Sequence, residues 1–132
     1  MTTGFDREQD ELANGFTRFP EARAEVYRQA GYWQGKALDS ILREAAQRWP
    51  DKAAVVDASG TYSFAELDAL ADRIGAALAA QGIHQGDRIL VQLPNSREFA
   101  VATFGLLRAG VVPVLCLPGH RSAELGHFAE VS

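Results

Sequence analysis

Apolar residues recur at helical spacing in two segments of the first fifty residues. After Pro20, which suits the first turn of a helix, one face carries apolar residues until Gly31 supplies a stop. A second stripe follows the i, i+3, i+4, i+7 and i+11 pattern and ends before Pro50. The two faces consist of Ala22, Val26 and Ala30, and of Leu38, Ile41, Leu42, Ala45 and Trp49. We expect two amphipathic helices that bury these faces.

A hairpin and a well-defined helix are predicted in the middle of the chain. Residues 53–57 (AAVVD) indicate a strand, and a tight turn at 59–60 sends the chain into a short returning strand. Ser63 and Glu66 then have the spacing of a capping box, which marks the start of a helix. The buried stripe of this helix, which ends at Gly82, is predicted to be Leu67, Leu70, Ala71, Ile74 and Leu78.

The next two elements are a mostly apolar strand at residues 88–93 and a helix. Asn95 and Glu98 repeat the capping-box spacing before that helix, and Gly110 ends it. The helix is apolar nearly all round, so we expect other elements to cover it on more than one side. Its apolar positions are Phe99, Val101, Ala102, Phe104, Leu106 and Leu107.

A final strand at residues 111–117 completes a strand, helix, strand, helix, strand order, and a further helix begins at Ser122. Continuous apolar strands in this order are typical of a parallel sheet flanked by helices, with right-handed crossovers. Pro113 cannot donate a ladder hydrogen bond, so it favours an edge or a bulge. We therefore predict the α/β fold class, preceded by a flexible polar arm at residues 1–15.

Composition excludes several classes of function. The net charge of −4 comes from 13 basic and 17 acidic residues scattered along the chain, which leaves no basic stripe for nucleic acid. No apolar run reaches the roughly 18 residues that a membrane span requires. The N-terminus lacks the pattern of a signal peptide, and the single cysteine, Cys116, fits a reducing compartment. We expect a cytoplasmic protein that binds neither nucleic acid nor membrane.

Phosphate and metal sites are not indicated by the residue patterns. Neither a Walker-type nor a dinucleotide-binding glycine motif occurs, and the Ser59-Gly60-Thr61 turn lacks a second glycine and a lysine. His120, Glu124 and His127 would share a helix face, but a rise of about 1.5 Å per residue puts the two imidazoles about 10 Å apart. A solvated helix face is the favoured interpretation, so no metal ligand is assigned.

The remaining chemistry-bearing side chains are predicted to be structural. Cys116 lies within an apolar strand, where thiols usually serve as small core residues. Gln92 is the unusual polar residue of its strand, and a satisfied core amide is favoured over a ligand contact. Trp33 and Trp49 are favoured as core residues over a stacking platform. No catalytic, cofactor-binding or metal-binding residue is therefore assigned in this chain.

Two ordered blocks, residues 61–67 (TYSFAEL) and 106–114 (LLRAGVVPV), flank a GDR turn at 86–88. Together they resemble the start of the adenylate-forming enzymes, the superfamily of acyl-CoA synthetases, peptide-synthetase adenylation domains and luciferases. Residues 15–33 (GFTRFPEARAEVYRQAGYW) and 117–125 (LPGHRSAEL) resemble the branch that activates aryl acids.

This resemblance implies an AMP ligase for 2,3-dihydroxybenzoate or salicylate that serves siderophore biosynthesis. It implies ATP and Mg2+ as cofactors, and the phosphopantetheine thiol of an aryl carrier protein as acceptor. Residues 16–132 would form an incomplete N-terminal subdomain, about the first quarter of such an enzyme. The family's phosphate loop, aryl-acid pocket, ribose aspartate and C-terminal lysine have no counterpart here.

The chain alone is therefore expected to be inactive, to bind no cofactor, and to self-associate through surfaces that the rest of an enzyme would cover. The corner at residues 118–121 is expected to be a structural feature of this branch. Two alternatives remain: a ligase for another acid, such as an acyl-CoA synthetase, and a stand-alone, non-catalytic binding module. The residues present do not separate dihydroxybenzoate from salicylate.

Overall fold

The computed structural model describes Thr17 and residues 19–132. The flexible arm predicted for residues 1–15 lies outside the described residues. The chain divides into two compact units, one reaching to Ala37 and the other running from Leu38 to Ser132.

Helix α1 (Glu21–Gln29) lies in the first unit. It begins directly after Pro20, as predicted, because a proline at this point loses no helical hydrogen bond. It ends before Gly31, whose φ of 75° is a left-handed conformation that glycine adopts without steric cost.

The predicted buried face of α1 is wrong. Val26 is 59% exposed, whereas Ala24 is buried. Tyr27, one turn after Ala24, packs its ring against neighbouring aromatic rings. Those rings are Phe19, at 5.8 Å between centroids, and Trp33, at 5.5 Å. A tyrosine ring buries far more apolar area than an alanine, so the side of the helix that carries Tyr27 is the packed one.

The second unit alternates helices and strands. In chain order its elements are α2 (Ser40–Arg48), β1 (Ala53–Asp57), β2 (Gly60–Ser63), α3 (Phe64–Ala80), β3 (Arg88–Val91), α4 (Arg97–Arg108), β4 (Val112–Leu115) and α5 (Ser122–Val131). This arrangement confirms the predicted α/β class.

The strands form two small sheets. Strands β1 and β2 pair antiparallel as a hairpin, and β3 and β4 pair parallel in the register Arg88 to Val112 through Val91 to Leu115. The parallel sheet predicted to include residues 53–57 is therefore limited, among the described residues, to one pair. The tight turn after β1 brings β2 beside it, and this pairing gives the hairpin a sheet of its own.

Pro113 lies in β4 without breaking the parallel ladder. The amides of Val112 and Cys116 donate to the carbonyls of Asp87 and Val91, at 2.8 and 2.9 Å. Because backbone groups alternate in direction along a strand, the position of Pro113 faces away from β3. The proline occupies an outer edge position, as predicted, where its missing N–H costs no bond of this pair.

Helix α3 lies at the centre of the second unit. The predicted capping box is present: the Ser63 hydroxyl accepts from the amide of Glu66 at 3.2 Å, and the Glu66 carboxylate accepts from the amide of Ser63 at 2.8 Å. Its predicted stripe is buried or half-buried throughout. Two core clusters result, one of Leu42, Leu67 and Ala71 and the other of Val91, Leu106 and Val111.

The stripe predicted for α2 is only partly buried. Leu42 enters the core, but Leu38 and Ile41 are both 64% exposed. Trp49 is 46% exposed because its φ and ψ of −140° and 60° take it out of the helix, and its ring instead lies beneath the guanidinium of Arg48. The helix spans nine residues, so its stripe ends before Trp49.

Helices α3 and α4 approach each other closely where glycines face the partner helix. A Cβ placed on Gly105 would overlap the side chain of Ile74, and one on Gly75 would lie 3.2 Å from Cγ of Arg108. Glycine is required at Gly105 by this contact and not by its backbone conformation.

Replacing Gly105 with alanine should therefore destabilise the chain by about 1–3 kcal/mol, the usual cost of overpacking. The control is Gly126→Ala in α5, where nothing lies within 4 Å of the added methyl group. That change should stabilise by about 0.5–1 kcal/mol, because alanine favours a helix over glycine. Urea unfolding of both variants measures the difference, and a stabilising Gly105→Ala change would contradict the close approach.

Candidate functional site

Perturbed or buried ionisable groups are where functional sites concentrate, and Arg108 is the least exposed charged side chain among the described ion pairs, at 9%. Its Nε donates to Asp39 at 2.8 Å and its Nη2 to Asp68 at 2.6 Å, while Nη1 pairs with Asp72. Arg43 adds a second guanidinium at 3.2 Å from Asp72. Each nitrogen of Arg108 thus serves a different carboxylate of the chain itself.

The protonation of this cluster follows from its geometry. Burial lowers the pKa of Arg108, but the hydrogen bonds that its guanidinium donates to Asp68 and Asp72 outweigh this effect and raise that pKa above its ordinary value. The hydrogen bond from Arg108 lowers the pKa of Asp72. Arg108 and Asp72 therefore stay charged near neutral pH, and three carboxylates around one buried cation disfavour any phosphate ligand. The cluster is a structural clamp on α2, α3 and α4.

A second polar junction centres on Asp57, at the end of β1. Its Oδ1 accepts from the amides of Ser59 and Gly60, at 2.8 and 3.1 Å, and its Oδ2 accepts from the amide of Arg97 at 2.9 Å. The Arg97 guanidinium lies 3.2 Å from the same carboxylate through Nε and 4.5 Å above the ring of Tyr62. One carboxylate therefore closes the hairpin turn and caps α4.

This junction corrects the predicted cap of α4. The N-cap residue is Ser96, not Asn95, and it makes no side-chain cap bond to the helix. The Ser96 side chain instead hydrogen-bonds Glu98 and lowers the pKa of that carboxyl group. The role of the cap passes to Asp57, forty residues away, because its carboxylate reaches the first helical amide.

The junction also answers whether the Ser59-Gly60-Thr61 turn could cradle a phosphate. Two of its amides already donate to Asp57, whose negative charge would repel a second anion. The turn is therefore filled by the chain's own carboxylate, and the described residues there do not fit a nucleotide phosphate.

The corner predicted at residues 118–121 is, in the structure, a turn over residues 117–120. Two side chains hold this turn. The Gln92 amide nitrogen donates to the carbonyls of Leu117 at 3.0 Å and His120 at 2.7 Å. The imidazole Nδ1 of His120 accepts from the amide of Leu117 at 3.1 Å. Gln92 is thus a satisfied amide, as predicted, and the corner is occupied by its own hydrogen bonds.

The other candidates also have structural positions. Cys116 is 6% exposed in the core, as predicted. Trp33 is 42% exposed, so its predicted core position is wrong. His120 packs its ring against Phe128, at 5.1 Å between ring centroids. It precedes α5, so it does not share a helix face with Glu124 and His127 as the sequence suggested. Among Thr17 and residues 19–132, no group of three potential ligands is placed to hold a metal ion, and no helix is long and apolar enough to cross a membrane.

The clamp gives a direct prediction for stability. Arg108→Met preserves the volume of the side chain but leaves three aspartates without their shared cation, and breaking such a buried ion pair costs about 3 kcal/mol. Arg43→Met, at a position 46% exposed with one partner, should cost below about 1 kcal/mol. Urea unfolding of both variants tests the difference, and equal losses would contradict a clamp centred on Arg108.

The Asp57 junction gives a pH prediction. The pKa of Asp57 is lowered, chiefly by the amide of Arg97 and further by the amide of Ser59 and the charge of Arg97, against the opposing effect of burial. A carboxyl group whose folded pKa lies below the unfolded value of about 3.9 contributes stability above that pH. This contribution is lost as the pH falls through the lower, folded value.

Asp57→Asn should therefore lower the urea midpoint at pH 7 and flatten its decline below about pH 4 relative to the parent chain. The exposed Asp51, in the turn before β1, supplies the matched control Asp51→Asn, which should keep the parental pH profile. Parallel profiles for the parent chain and the Asp57→Asn variant would show that the junction does not depend on charge.

Comparison with known proteins now adds to this geometry. Residues 42–132 match the family model described as AMP-binding enzyme. The chain is 61% identical over 123 residues to the salicyl-AMP ligase / salicyl-S-ArCP synthetase of Mycobacterium tuberculosis, which covers 89% of this chain and 22% of the relative. It is 42% identical over 119 residues to the 2,3-dihydroxybenzoate-AMP ligase of Bacillus subtilis, which covers 90% and 22%.

The chain also shares its fold with solved structures of similar enzymes. The apo structure of MbtA from Mycobacterium smegmatis superposes with a TM-score of 0.87 at 65% identity, over 92% of this chain and 23% of that one. A benzoate CoA ligase from Burkholderia xenovorans superposes with a TM-score of 0.67 at 30% identity, over 72% and 19%. The chain spans about a fifth of the length of the proteins it matches. The family match, the sequence relatives and the shared fold together establish that the chain belongs to the AMP-binding enzymes and is similar to their aryl-acid AMP ligases.

Proposed function

We propose that this chain is the opening scaffold of an ATP-dependent ligase that activates salicylate as its acyl-AMP and passes it to an aryl carrier protein for siderophore biosynthesis. The observation that carries the proposal is the 61% identity, over 89% of the chain, to a salicyl-AMP ligase. The lower identity of 42% to a 2,3-dihydroxybenzoate-AMP ligase favours salicylate over dihydroxybenzoate.

The residues of this chain contribute position and not chemistry to that reaction. The Arg108 clamp, the Asp57 junction and the Gln92 corner all bind the chain to itself. The family implies that ATP, with Mg2+, supplies the adenylyl group. The Ser59-Gly60-Thr61 turn, the candidate phosphate site, is filled by the carboxylate of Asp57. We therefore assign no step of the reaction to the residues of this chain.

The proposed setting is the cytoplasm, where the single cysteine, Cys116, stays reduced. The acceptor is the phosphopantetheine thiol of an aryl carrier protein, in keeping with the relative whose name includes an S-ArCP synthetase.

The proposal is tested by grafting. Replacing the aligned segment of the Mycobacterium tuberculosis ligase with this chain should preserve salicylate-dependent exchange of pyrophosphate into ATP within about tenfold, or about 1.4 kcal/mol in barrier. Exchange with 2,3-dihydroxybenzoate is measured beside it, and the isolated chain should give none above a buffer blank.

The Arg43→Met and Arg108→Met forms of the graft supply the matched controls. The first should keep the exchange rate, and the second should lose exchange at a lower urea concentration than the unmodified graft, in step with the loss of helical circular dichroism. A graft that folds but exchanges about a thousandfold more slowly than the parent would favour the non-catalytic module instead. Exchange by the isolated chain would contradict the scaffold role.

A further inference from the structure

The backbone just after β4 presents an amide hydrogen that a histidine accepts. Pro113 presents no N–H on the outer edge of β4, and four residues later the amide of Leu117 would present one in the same direction. This amide donates to Nδ1 of His120 at 3.1 Å. An exposed strand edge is a template for unwanted pairing, so the proline and the imidazole both reduce the donors it presents.

The hydrogen bond that His120 accepts from the amide of Leu117 fixes the protonation state of its imidazole. A backbone amide can only donate, so Nδ1 must offer a lone pair and the ring proton must reside on Nε2. An imidazolium carries protons on both nitrogens and has no acceptor left. Protonation of His120 and the bond from Leu117 therefore exclude one another.

The surroundings of His120 determine what a charged ring would meet. Gln92, which directly follows β3, brings its neutral amide to the corner. Arg121 follows the corner, and α5 supplies Glu124, His127 and the ring of Phe128 that packs on His120. The carboxylate of Glu124 already accepts from the amide of Arg121 at 2.9 Å, and it is the one negative group among these neighbours.

The negative charge of Glu124 favours release of the Leu117 amide by a protonated His120. Hydrogen bonds from its own amide and from that of Arg121, together with the charge of His120, lower the pKa of Glu124. Glu124 therefore stays ionised across the range, about pH 5 to 8, in which imidazoles titrate. A protonated His120 loses its partner on Leu117 and gains attraction toward Glu124, in the first turn of α5.

We propose that His120 is a proton-operated latch on the corner at residues 117–120. The neutral imidazole closes the latch on the amide of Leu117. The imidazolium releases that amide and turns toward Glu124, while the bonds from Gln92 to the carbonyls of Leu117, Pro118 and His120 limit the change to the corner itself. This device is independent of the proposed ligase function, since it rests on contacts within this chain alone.

Amide hydrogen exchange on the chain tests the latch residue by residue. After correction for intrinsic rates, protection of the Leu117 amide should fall about tenfold or more between about pH 8 and pH 5, as imidazoles become charged. The amide of Cys116, bonded to Val91 within the ladder, should stay protected throughout. In His120→Gln the protection of Leu117 should vary little with pH, because an amide oxygen accepts at every pH in this range.

The matched control is His127→Gln, which removes an exposed imidazole seven residues away and should leave the parental pH profile of Leu117 intact. Three results would overturn the proposal: a parental profile as flat as that of His120→Gln, a profile abolished by His127→Gln, or parallel loss at Cys116. The last of these would mean that the whole β3–β4 pair opens in place of the corner.

Discussion

The buried guanidinium of Arg108 is the constraint on which the second unit depends. A cation that is 9% exposed must have carboxylates around it, and these come from the residue before α2 and from two successive turns of α3. Satisfying one charge therefore fixes the positions of three helices. The stem of Arg108 also passes beside Gly75, one of the two glycines at which α3 and α4 cross closely.

The Asp57 junction follows the same physical logic with backbone donors. A hairpin of nine strand residues has little stability of its own, and α4 begins without a side-chain cap from its own sequence. One carboxylate meets both needs by accepting from the turn and from the first amide of α4. The Arg97 side chain completes the contact by covering the ring of Tyr62.

Features that depend on local sequence could be predicted, and features that depend on long-range partners could not. The Ser63 capping box, the glycine stop of α1 and the edge position of Pro113 follow from steric and hydrogen-bonding rules within a few residues. The DASG segment around Asp57 carries the sequence signal of a side-chain turn, but nothing in it indicates Arg97. The predicted buried face of α1 is wrong because aromatic rings outside the helix pack against Tyr27, which lies on another face.

Trp49 illustrates the same limit in another form. Helical spacing placed it on the stripe of α2, but the helix ends one residue earlier and the ring is left in contact with Arg48 and Lys52. A prediction from periodicity holds only while the backbone stays helical. The chain leaves the helix at Trp49 to enter the turn before β1.

The polar side chains of the second unit are directed toward the chain itself. Arg108 serves three aspartates, Asp57 serves three amides, and Gln92 and His120 serve the corner after β4. A side chain whose hydrogen bonds are taken by its own backbone cannot also grip a substrate without breaking them. These side chains therefore hold the fold together, which is the scaffold role we propose for a chain that spans about a fifth of the length of its enzyme relatives.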